Sequence, residues 1–430
     1  MSGSTGNGIR GYWHRIRLFS LNARKYMLAN TILGFAYGVS NTIFNLYLLA
    51  LGYTNAFLGG ILSISFLALA LSSLAVGSIC MRIGAKRATI LGVFIMTFTA
   101  LWRVWFPTPE VLILGAIIEG VGYSLTWVAY GPFLSEHSAS YERTHLFGTT
   151  QALNVISGFV GNTFAGIIPV WIAITFALPI DSAIAFQLAL ISWIIPLAVT
   201  LVPLLFIRDH TQAIQLKEAV ETDRNVENEQ KSIKEKRRSV LWIIVAFSVI
   251  YAILGIGAGF IVPFLNVFFW DFYNLPTPIV GLIQGLGSAT VALGAFLAPM
   301  LSTRIGKARA IMVVQTLSLP FLVVLATIIN PFIAGIAYIL RQVFMTAAIP
   351  IDGALQMELV PTSWRTHLSA MITFSFNLAL AFSVQITGQL YDFGLYLLPF
   401  WFTLICYSIG TALYVIFYKP EKRLSEQPEK

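Results

Sequence analysis

The sequence predicts an all-α integral membrane protein of twelve transmembrane helices, arranged as two similar six-helix halves. Three observations predict this fold class: an apolar composition, a one-sided distribution of Lys and Arg, and an internal repeat. Of the 430 residues, 57% are hydrophobic and only 11% are charged, whereas about 25% of the residues of a soluble protein are charged. Most of the chain must therefore lie where charge is costly, as it is in lipid.

Long apolar runs identify the individual spans. A bilayer core of about 30 Å needs about 20 apolar residues of helix, and a helix satisfies its own backbone in lipid. The predicted spans are 27–50, 57–80, 88–107, 110–134, 146–171, 183–207, 240–268, 278–302, 308–330, 331–355, 367–390 and 395–418. They divide the chain into an N-terminal segment 1–26, a six-helix bundle 27–207, a polar linker 208–239, a second six-helix bundle 240–418 and a tail 419–430.

The positions of the cations predict the orientation. If both termini lie on one side of the membrane, 25 of the 27 Lys and Arg fall on that side, and the other two, Arg103 and Arg341, lie inside spans. By the positive-inside rule we expect both termini, the linker and the tail in the cytoplasm, and a location in the plasma membrane. Membrane topology explains the net charge of +8 better than nucleic-acid binding does.

An internal repeat relates the two halves. At an offset of 222 residues, Arg82–Gly84 recurs as Arg304–Gly306, and Arg143–Leu146 recurs as Arg365–Leu368. Single residues match at the same offset or at 221: Gly131 and Gly353, Glu136 and Glu358, Gly34 and Gly255, Gly38 and Gly259, Asn45 and Asn266. Parallel six-helix repeats of this kind place a substrate site between the halves near the midplane.

The loop between spans 2 and 3 carries a degenerate motif that is repeated between spans 8 and 9. The motif residues are Gly77, Arg82, Gly84 and Lys86 in the first copy and Arg304, Gly306 and Lys307 in the second. The pattern resembles the Gly-x-x-x-Asp-Arg-x-Gly-Arg-Arg loop of the major facilitator superfamily, although Met81 stands at the Asp position and Ala85 at the first closing basic position. The resemblance covers nearly the whole chain and implies the major facilitator fold and transport by alternating access.

The resemblance also implies an inner gate. In that family the loop clamps the cytoplasmic face in the outward-open state, and its arginine often pairs with an acid at the cytoplasmic end of span 4. Glu136 fits that place, with Arg82 or Arg143 as its expected partner, and Glu358 and Arg365 are the counterparts in the second half. The alternative is that these residues only anchor the interface and set the topology.

Charges inside spans predict functional sites because each costs roughly 2.5–3.5 kcal/mol on insertion scales. The candidates are Glu119, Arg341 and Asp352. Glu119 and Arg341 are repeat equivalents, and the resemblance places spans 1, 4, 7 and 10 around a central cavity. We therefore expect the two side chains to face one another across that cavity. They could form a charge pair that closes the cavity, bind the opposite ends of a substrate, or form a static salt bridge. Alternatively, Glu119 could couple transport to protons by changing its protonation state. Arg341 alone favours an anionic substrate group.

Asp352 lies eleven residues beyond Arg341, about 16 Å nearer the cytoplasm at 1.5 Å per helical residue. Two interpretations remain open: an inner proton acceptor, or a solvated residue of the inner vestibule.

A polar stripe in span 1 predicts a lining for the cavity. Tyr37, Asn41 and Asn45 repeat at a spacing of four, which puts them on one helical face together with Asn30. The alternative is helix–helix hydrogen bonding. Further lining candidates are Tyr123, Trp127, Asn154, Asn266 and Gln284, with Gln151 and Asn377 as weaker ones.

These observations predict a secondary active transporter of a small organic solute, with proton coupling as one option. Alternatives are a proton-driven multidrug exporter and, on the same fold, a lipid flippase or a non-transporting receptor. Drug antiporters carry a Gly-Pro motif in span 5, where Asn162 replaces the Pro, and often a basic residue in span 4, where this chain has Ala116. Both differences make a drug exporter a weaker prediction than a transporter of a metabolite. We expect no enzymatic activity, cofactor, metal or nucleic-acid partner. The expected partners are a small solute, protons and the bilayer, around a monomer.

Overall fold

A computed structural model describes residues 19–136, 143–207, 240–361 and 364–418. Within these ranges the chain forms twelve helices and no strands, which confirms the predicted fold class. The helices are α1 Leu21–Ala50, α2 Asn55–Ile83, α3 Ala85–Trp105, α4 Pro109–Glu136, α5 Arg143–Thr175, α6 Ala183–Leu205, α7 Val240–Phe272, α8 Thr277–Ile305, α9 Lys307–Thr327, α10 Pro331–Leu359, α11 Arg365–Asp392 and α12 Leu398–Tyr418. The predicted linker 208–239 and tail 419–430 lie outside the described residues.

Eleven of these helices are long and apolar enough to cross a membrane. The twelfth, α8, has 29 residues and a shorter described apolar stretch, Thr277–Val291. We define the inner end of the molecule as the end at which α1 begins and the outer end as the end at which α1 finishes.

Local chemistry sets several helix ends. The Ser20 hydroxyl accepts a hydrogen bond from the Ala23 amide at 3.2 Å, so α1 begins six residues before the predicted span at 27. At the inner end, Gly84 separates α2 from α3 with φ +85°, and its repeat equivalent Gly306 separates α8 from α9 with φ +82°. This left-handed conformation favours glycine, so both copies of the loop motif make the same tight turn.

The outer part of α7 departs from regular α-helix. Pro263 lacks a backbone N–H and disturbs the preceding turn, and Val262–Phe264 is a 3₁₀ turn. A π-helical turn, Phe268–Phe272, follows it. Such interruptions often mark functional positions, and here they place Asn266 against the first half of the molecule.

Two glycine-lined seams join the halves, and they are equivalent under the repeat. In the α2–α11 seam, Gly59 packs on the Val384 carbonyl and on Gly388. In the α8–α5 seam, Gly281 packs on the Asn162 carbonyl and on Gly166. Gly59 and Gly281 are 222 residues apart, as are Gly166 and Gly388. The absence of a side chain lets the backbones approach closely in both places.

The first helix of each half meets its equivalent near the axis that relates the halves. The Asn45 side-chain amide donates to the Pro263 carbonyl at 2.7 Å and to the Asn266 side-chain oxygen at 3.1 Å. The Asn266 amide donates to the Thr42 carbonyl at 3.0 Å. Thr42 and Pro263 are repeat equivalents, as are the two asparagines, so the contact is self-complementary in the manner of a two-fold interface. We call these four residues the asparagine clasp.

Further bonds between the halves lie at the outer end. The Asp392 carboxylate, at the end of α11, accepts from the backbone amides of Asn55 and Ala56 at 2.8 and 2.9 Å. It thereby satisfies the free N–H groups at the start of α2. The Thr277 hydroxyl, at the start of α8, donates to Asp181 at 2.9 Å. The outer end is therefore closed.

The tight approach at Gly388 generates a prediction. A Cβ at position 388 would lie 2.2 Å from the Asn55 carbonyl oxygen, whereas a Cβ at Gly148 in α5 would meet nothing within 4 Å. We expect Gly388→Ala to destabilise the protein by about 1–3 kcal/mol through overpacking and Gly148→Ala to be neutral. The measurement is thermal unfolding of both purified variants in detergent. Equal melting temperatures for the two variants would contradict the seam.

Candidate functional site

A cavity of about 600 Å³ lies between the halves, inward of the asparagine clasp. Residues of α1, α2, α3, α4 and α5 line it from the first half, and residues of α7, α8, α10 and α11 from the second. Seven of the predicted site and lining residues line it: Tyr37, Asn41, Asn45, Glu119, Tyr123, Asn154 and Asn377. In the described part of the chain, no three His, Cys, Asp or Glu side chains are grouped as a metal site requires.

Glu119 pairs with Arg103 of the same half, so the expectation that it faces Arg341 is wrong. The Arg103 guanidinium donates to the Glu119 carboxylate. Its central carbon also lies 4.3 Å from the centre of the Phe44 ring, a cation–π distance. Arg103 and Glu119 are 2% and 6% exposed, and both line the cavity. The pair is a buried salt bridge that presents one edge to the central space.

Sequence reasoning missed Arg103 although a signal was present. Equal depth in two repeats does not specify the direction of a side chain around its helix, whereas α3 and α4 are antiparallel neighbours joined by only three residues. An acid and a base in consecutive spans are a direct candidate pair. Gly115, one turn before Glu119, makes room for the arginine, because a Cβ there would lie 2.5 Å from the Arg103 Cδ.

Arg341 lies inside the second half and is 2% exposed. Its guanidinium donates to the Gln342 side-chain oxygen at 3.3 Å and lies 5.4 Å from the centre of the Tyr407 ring. Gln342 lines the cavity, so Arg341 stands directly behind the cavity wall. Across the described residues, no carboxylate lies within ion-pair distance of it.

Asp352 is buried, 5% exposed, and the structure contradicts its interpretation as a solvated vestibule residue. Its Oδ2 accepts from the Tyr251 hydroxyl of α7 and from the Gln356 amide at 2.9 Å. The Gln356 amide also donates to the Tyr251 hydroxyl at 2.8 Å. These hydrogen bonds compensate part of the burial of this carboxyl group, and they tie α10 to α7.

Gln284 and Asn266 connect the halves rather than line the cavity. The Thr42 hydroxyl lies 2.8 Å from the Asn162 side-chain oxygen and 2.9 Å from that of Gln284. The Asn162 amide donates to the Ser288 hydroxyl at 3.1 Å. Asn162, at the position of the missing Pro, thus belongs to a polar network between α1, α5 and α8.

A second cavity of about 340 Å³ lies within the first half, towards the inner end. Trp127, 74% exposed, lines this cavity and not the central one, contrary to its prediction as a central lining residue. Tyr37 and Asn154 line both cavities. The Asn154 amide donates to the backbone and side-chain oxygens of Asn30, at 2.9 and 2.7 Å, which joins α5 to α1.

The inner gate is described only in part. The side chains of Glu136 and Arg143 lie outside the described residues, so their pairing stays a prediction. In the second half Glu358 is paired with Lys307, not with Arg304 or Arg365, and both of these arginines are exposed. In the first copy Arg82 is exposed, Lys86 is half-buried, and a Cβ at Gly77 would meet nothing within 4 Å.

Two six-helix halves, related by a repeat and enclosing a polar cavity, define a membrane transport protein of the two-bundle type. Residues 26–384 match the family model of the Major Facilitator Superfamily. The chain belongs to this superfamily of transporters.

Solved structures show the same fold. A D-xylose-proton symporter is similar with a TM-score of 0.72, 13% identity and coverage of 95% of this chain and 98% of that one. A bacterial homologue of the human lysosomal transporter Spinster, in an inward-facing and occupied conformation, is similar with a TM-score of 0.72 and 12% identity. The match covers 92% of this chain and 95% of that one. The nucleoside transporter NupG is similar with a TM-score of 0.67 and 12% identity, over 91% of this chain and 99% of that one.

One curated relative matches over a short stretch. The proton-coupled antiporter flippase LtaA of Staphylococcus saprophyticus is 33% identical over 102 residues, which is 23% of this chain and 25% of the relative. The match thus spans about a quarter of either protein.

The Arg103–Glu119 pair generates a stability prediction. Removing one partner leaves an uncompensated buried charge and should cost about 3–5 kcal/mol, whereas removing both should cost much less. We expect Arg103→Met and Glu119→Leu each to lower the melting temperature in detergent, and the double variant to recover most of the loss. Additive losses in the double-mutant cycle would show that the two side chains do not act as a pair.

Proposed function

We propose that this protein is a secondary active transporter of a small polar or amphipathic organic solute, with the central cavity as its substrate site. The observation that carries the proposal is the composition of that cavity, which both halves line with amides, phenols and one ion pair beneath a closed outer end. Small-molecule sites combine apolar walls with a few convergent polar groups in this way. We place it in the plasma membrane as a monomer with both termini in the cytoplasm, as the positions of the basic residues favour.

Transport would proceed by rocking the halves around the cavity. Opening the outer end requires the asparagine clasp and the bonds of Asp392 and Asp181 to break. Closing the inner end would bring together the two copies of the loop motif. The glycine seams allow the helices to slide because few side chains interlock across them.

Glu119 is the proposed coupling residue. As a carboxylate it holds the Arg103 guanidinium, and once protonated it would release that cation toward the cavity. Protonation of Glu119 would thereby change the charge that the first half presents to the cavity, and this change would link proton binding to solute binding. The similar proteins LtaA, a proton-coupled antiporter flippase, and the D-xylose-proton symporter are both proton-coupled, which is consistent with this role.

Lipid flipping is the second candidate function, and the short match to the flippase LtaA favours it over multidrug export. It would use the exposed Trp127 and the second cavity as a lateral route for a headgroup. Flipping of a fluorescent phospholipid without flux of any soluble solute would support it.

The test is solute flux in proteoliposomes that contain a trapped pH indicator. We expect a solute of the correct class to enter the vesicles and to move protons with it, so that an imposed pH gradient changes the flux several-fold. Glu119→Gln should retain downhill exchange of solute and lose the response to the gradient, because it cannot exchange a proton. The matched control is Glu110→Gln, which removes an exposed acid at the outer end of α4.

Three outcomes are decisive. Flux in the wild type that ignores the pH gradient would refute proton coupling and leave transport intact. The same gradient response in Glu119→Gln would remove Glu119 from the coupling. No flux of sugars, nucleosides or organic acids, together with no lipid flipping, would contradict the transport proposal itself.

A further inference from the structure

Arg341 is a buried cation that has no carboxylate within ion-pair distance in the part of the chain that the structure describes. It is 2% exposed, and its Nε has no hydrogen-bond partner among the described residues. Its contact with the Gln342 oxygen, at 3.3 Å, is longer than the 2.7–2.9 Å of a charge-assisted hydrogen bond. Its neighbours Gln342 and Tyr407 are neutral, so among the described residues this guanidinium lacks the charged partner that buried cations normally have.

The repeat makes this imbalance specific to the second half. Position 341 corresponds to Glu119, and the position that corresponds to Arg103 is Leu325, which is fully buried. The first half therefore has an acid and a base that neutralise each other, whereas the second half has a base alone at the same depth. The net charge beside the cavity at this level is positive and lies on the α10 side.

The side chain that Arg341 contacts is part of the cavity wall. Gln342 lines the cavity and is the neutral acceptor that Arg341 now contacts. An oxyanion that reached the α10 wall would replace a weak, neutral acceptor with a charged one. Guanidinium binds carboxylate and phosphate through two parallel hydrogen bonds, and the free Nε–H is one of the donors that such an arrangement uses.

We infer that Arg341 and Gln342 form an anion subsite in the α10 wall, and that the transported solute carries a carboxylate or phosphate group that displaces Gln342 from Arg341. The opposite wall complements such a solute. Tyr37 and Tyr123, with ring centres 5.3 Å apart, present aromatic surface, and Asn41 and Asn154 present amides for an uncharged polar part. The substrate class is thus an amphipathic anion. The inference rests on the proposed function, since it assigns the substrate of the same cavity.

The test is equilibrium binding to the purified full chain in detergent, followed by tryptophan fluorescence. The probes are 3-phenylpropionate, 3-phenylpropanamide and 3-phenylpropylammonium, which share one skeleton and differ in charge. We expect the carboxylate to bind the wild type about 10-fold or more tighter than the amide, as a charge-assisted pair predicts. The ammonium should bind more weakly than either.

Variants of Arg341 and Gln342 distinguish the effect of the positive charge from the effect of the guanidinium geometry. Arg341→Gln should lose the preference for carboxylate, and Arg341→Lys should keep part of it, because lysine retains the charge without the planar fork. Gln342→Ala should bind the carboxylate at least as tightly as the wild type, since the competing acceptor is gone. The control is Arg309→Gln, which removes a cation at an exposed position of α9 and should change nothing.

Equal binding of the three probes to the wild type would overturn the inference, as would a preserved carboxylate preference in Arg341→Gln. If Arg341→Gln does not fold, the carboxylate preference is measured in Arg341→Lys and Gln342→Ala instead. A preference unchanged by Arg341→Lys, or weakened by Gln342→Ala, would then overturn the inference. Failure here is distinct from failure of the proposed function. Solute flux without a preference for anions would refute the subsite alone, and a preference for anions without any flux would refute transport alone.

Discussion

The closed outer end depends on the asparagine clasp, in which Asn45 and Asn266 each donate a hydrogen bond to a backbone carbonyl of the other half. An asparagine in a membrane helix must find hydrogen-bond partners inside the protein, and here each finds them in the other half of the molecule. Each such bond contributes about 0.6 kcal/mol on average in membrane proteins, so the clasp is strong enough to favour closure and weak enough to open. The seams on either side, α2–α11 and α5–α8, also join the halves without locking them, because they consist of close backbone contacts and not of large interlocking side chains.

The halves share a backbone pattern and differ in charge. In the first half Arg103 and Glu119 compensate each other, and Gly115 provides the space that lets a long side chain from α3 reach α4. In the second half, as far as the described ranges extend, Arg341 forms no ion pair with an acid, and Asp352 is held by Tyr251 and Gln356 rather than by a cation. A symmetric scaffold with asymmetric charges can hold an asymmetric solute in one orientation while both halves move in the same way. In the proposed mechanism the first half responds to protons and the second binds the anion.

Much of this fold could be predicted from the sequence, because lipid leaves few alternatives. Spans follow from the length of apolar runs, and the repeat register alone makes Asn45 and Asn266 equivalents. The turn glycines Gly84 and Gly306 followed from the same register. The partner of Glu119 could not be predicted in this way, because the register gives depth along the membrane and not direction around a helix. The burial of Asp352 also depends on Tyr251, which comes from α7 and which no local pattern of α10 indicates.

We propose that the asparagine clasp holds the two halves together at the outer end. Its most direct measurement is the distance between the halves by pulsed electron spin resonance, with spin labels at the exposed outer-loop positions Leu51 and Leu395 after replacement of Cys80 and Cys406. The account predicts one short distance in the otherwise wild-type protein and a second, longer population in Asn266→Leu, which cannot form the reciprocal bonds. An unchanged distance distribution in Asn266→Leu would contradict it.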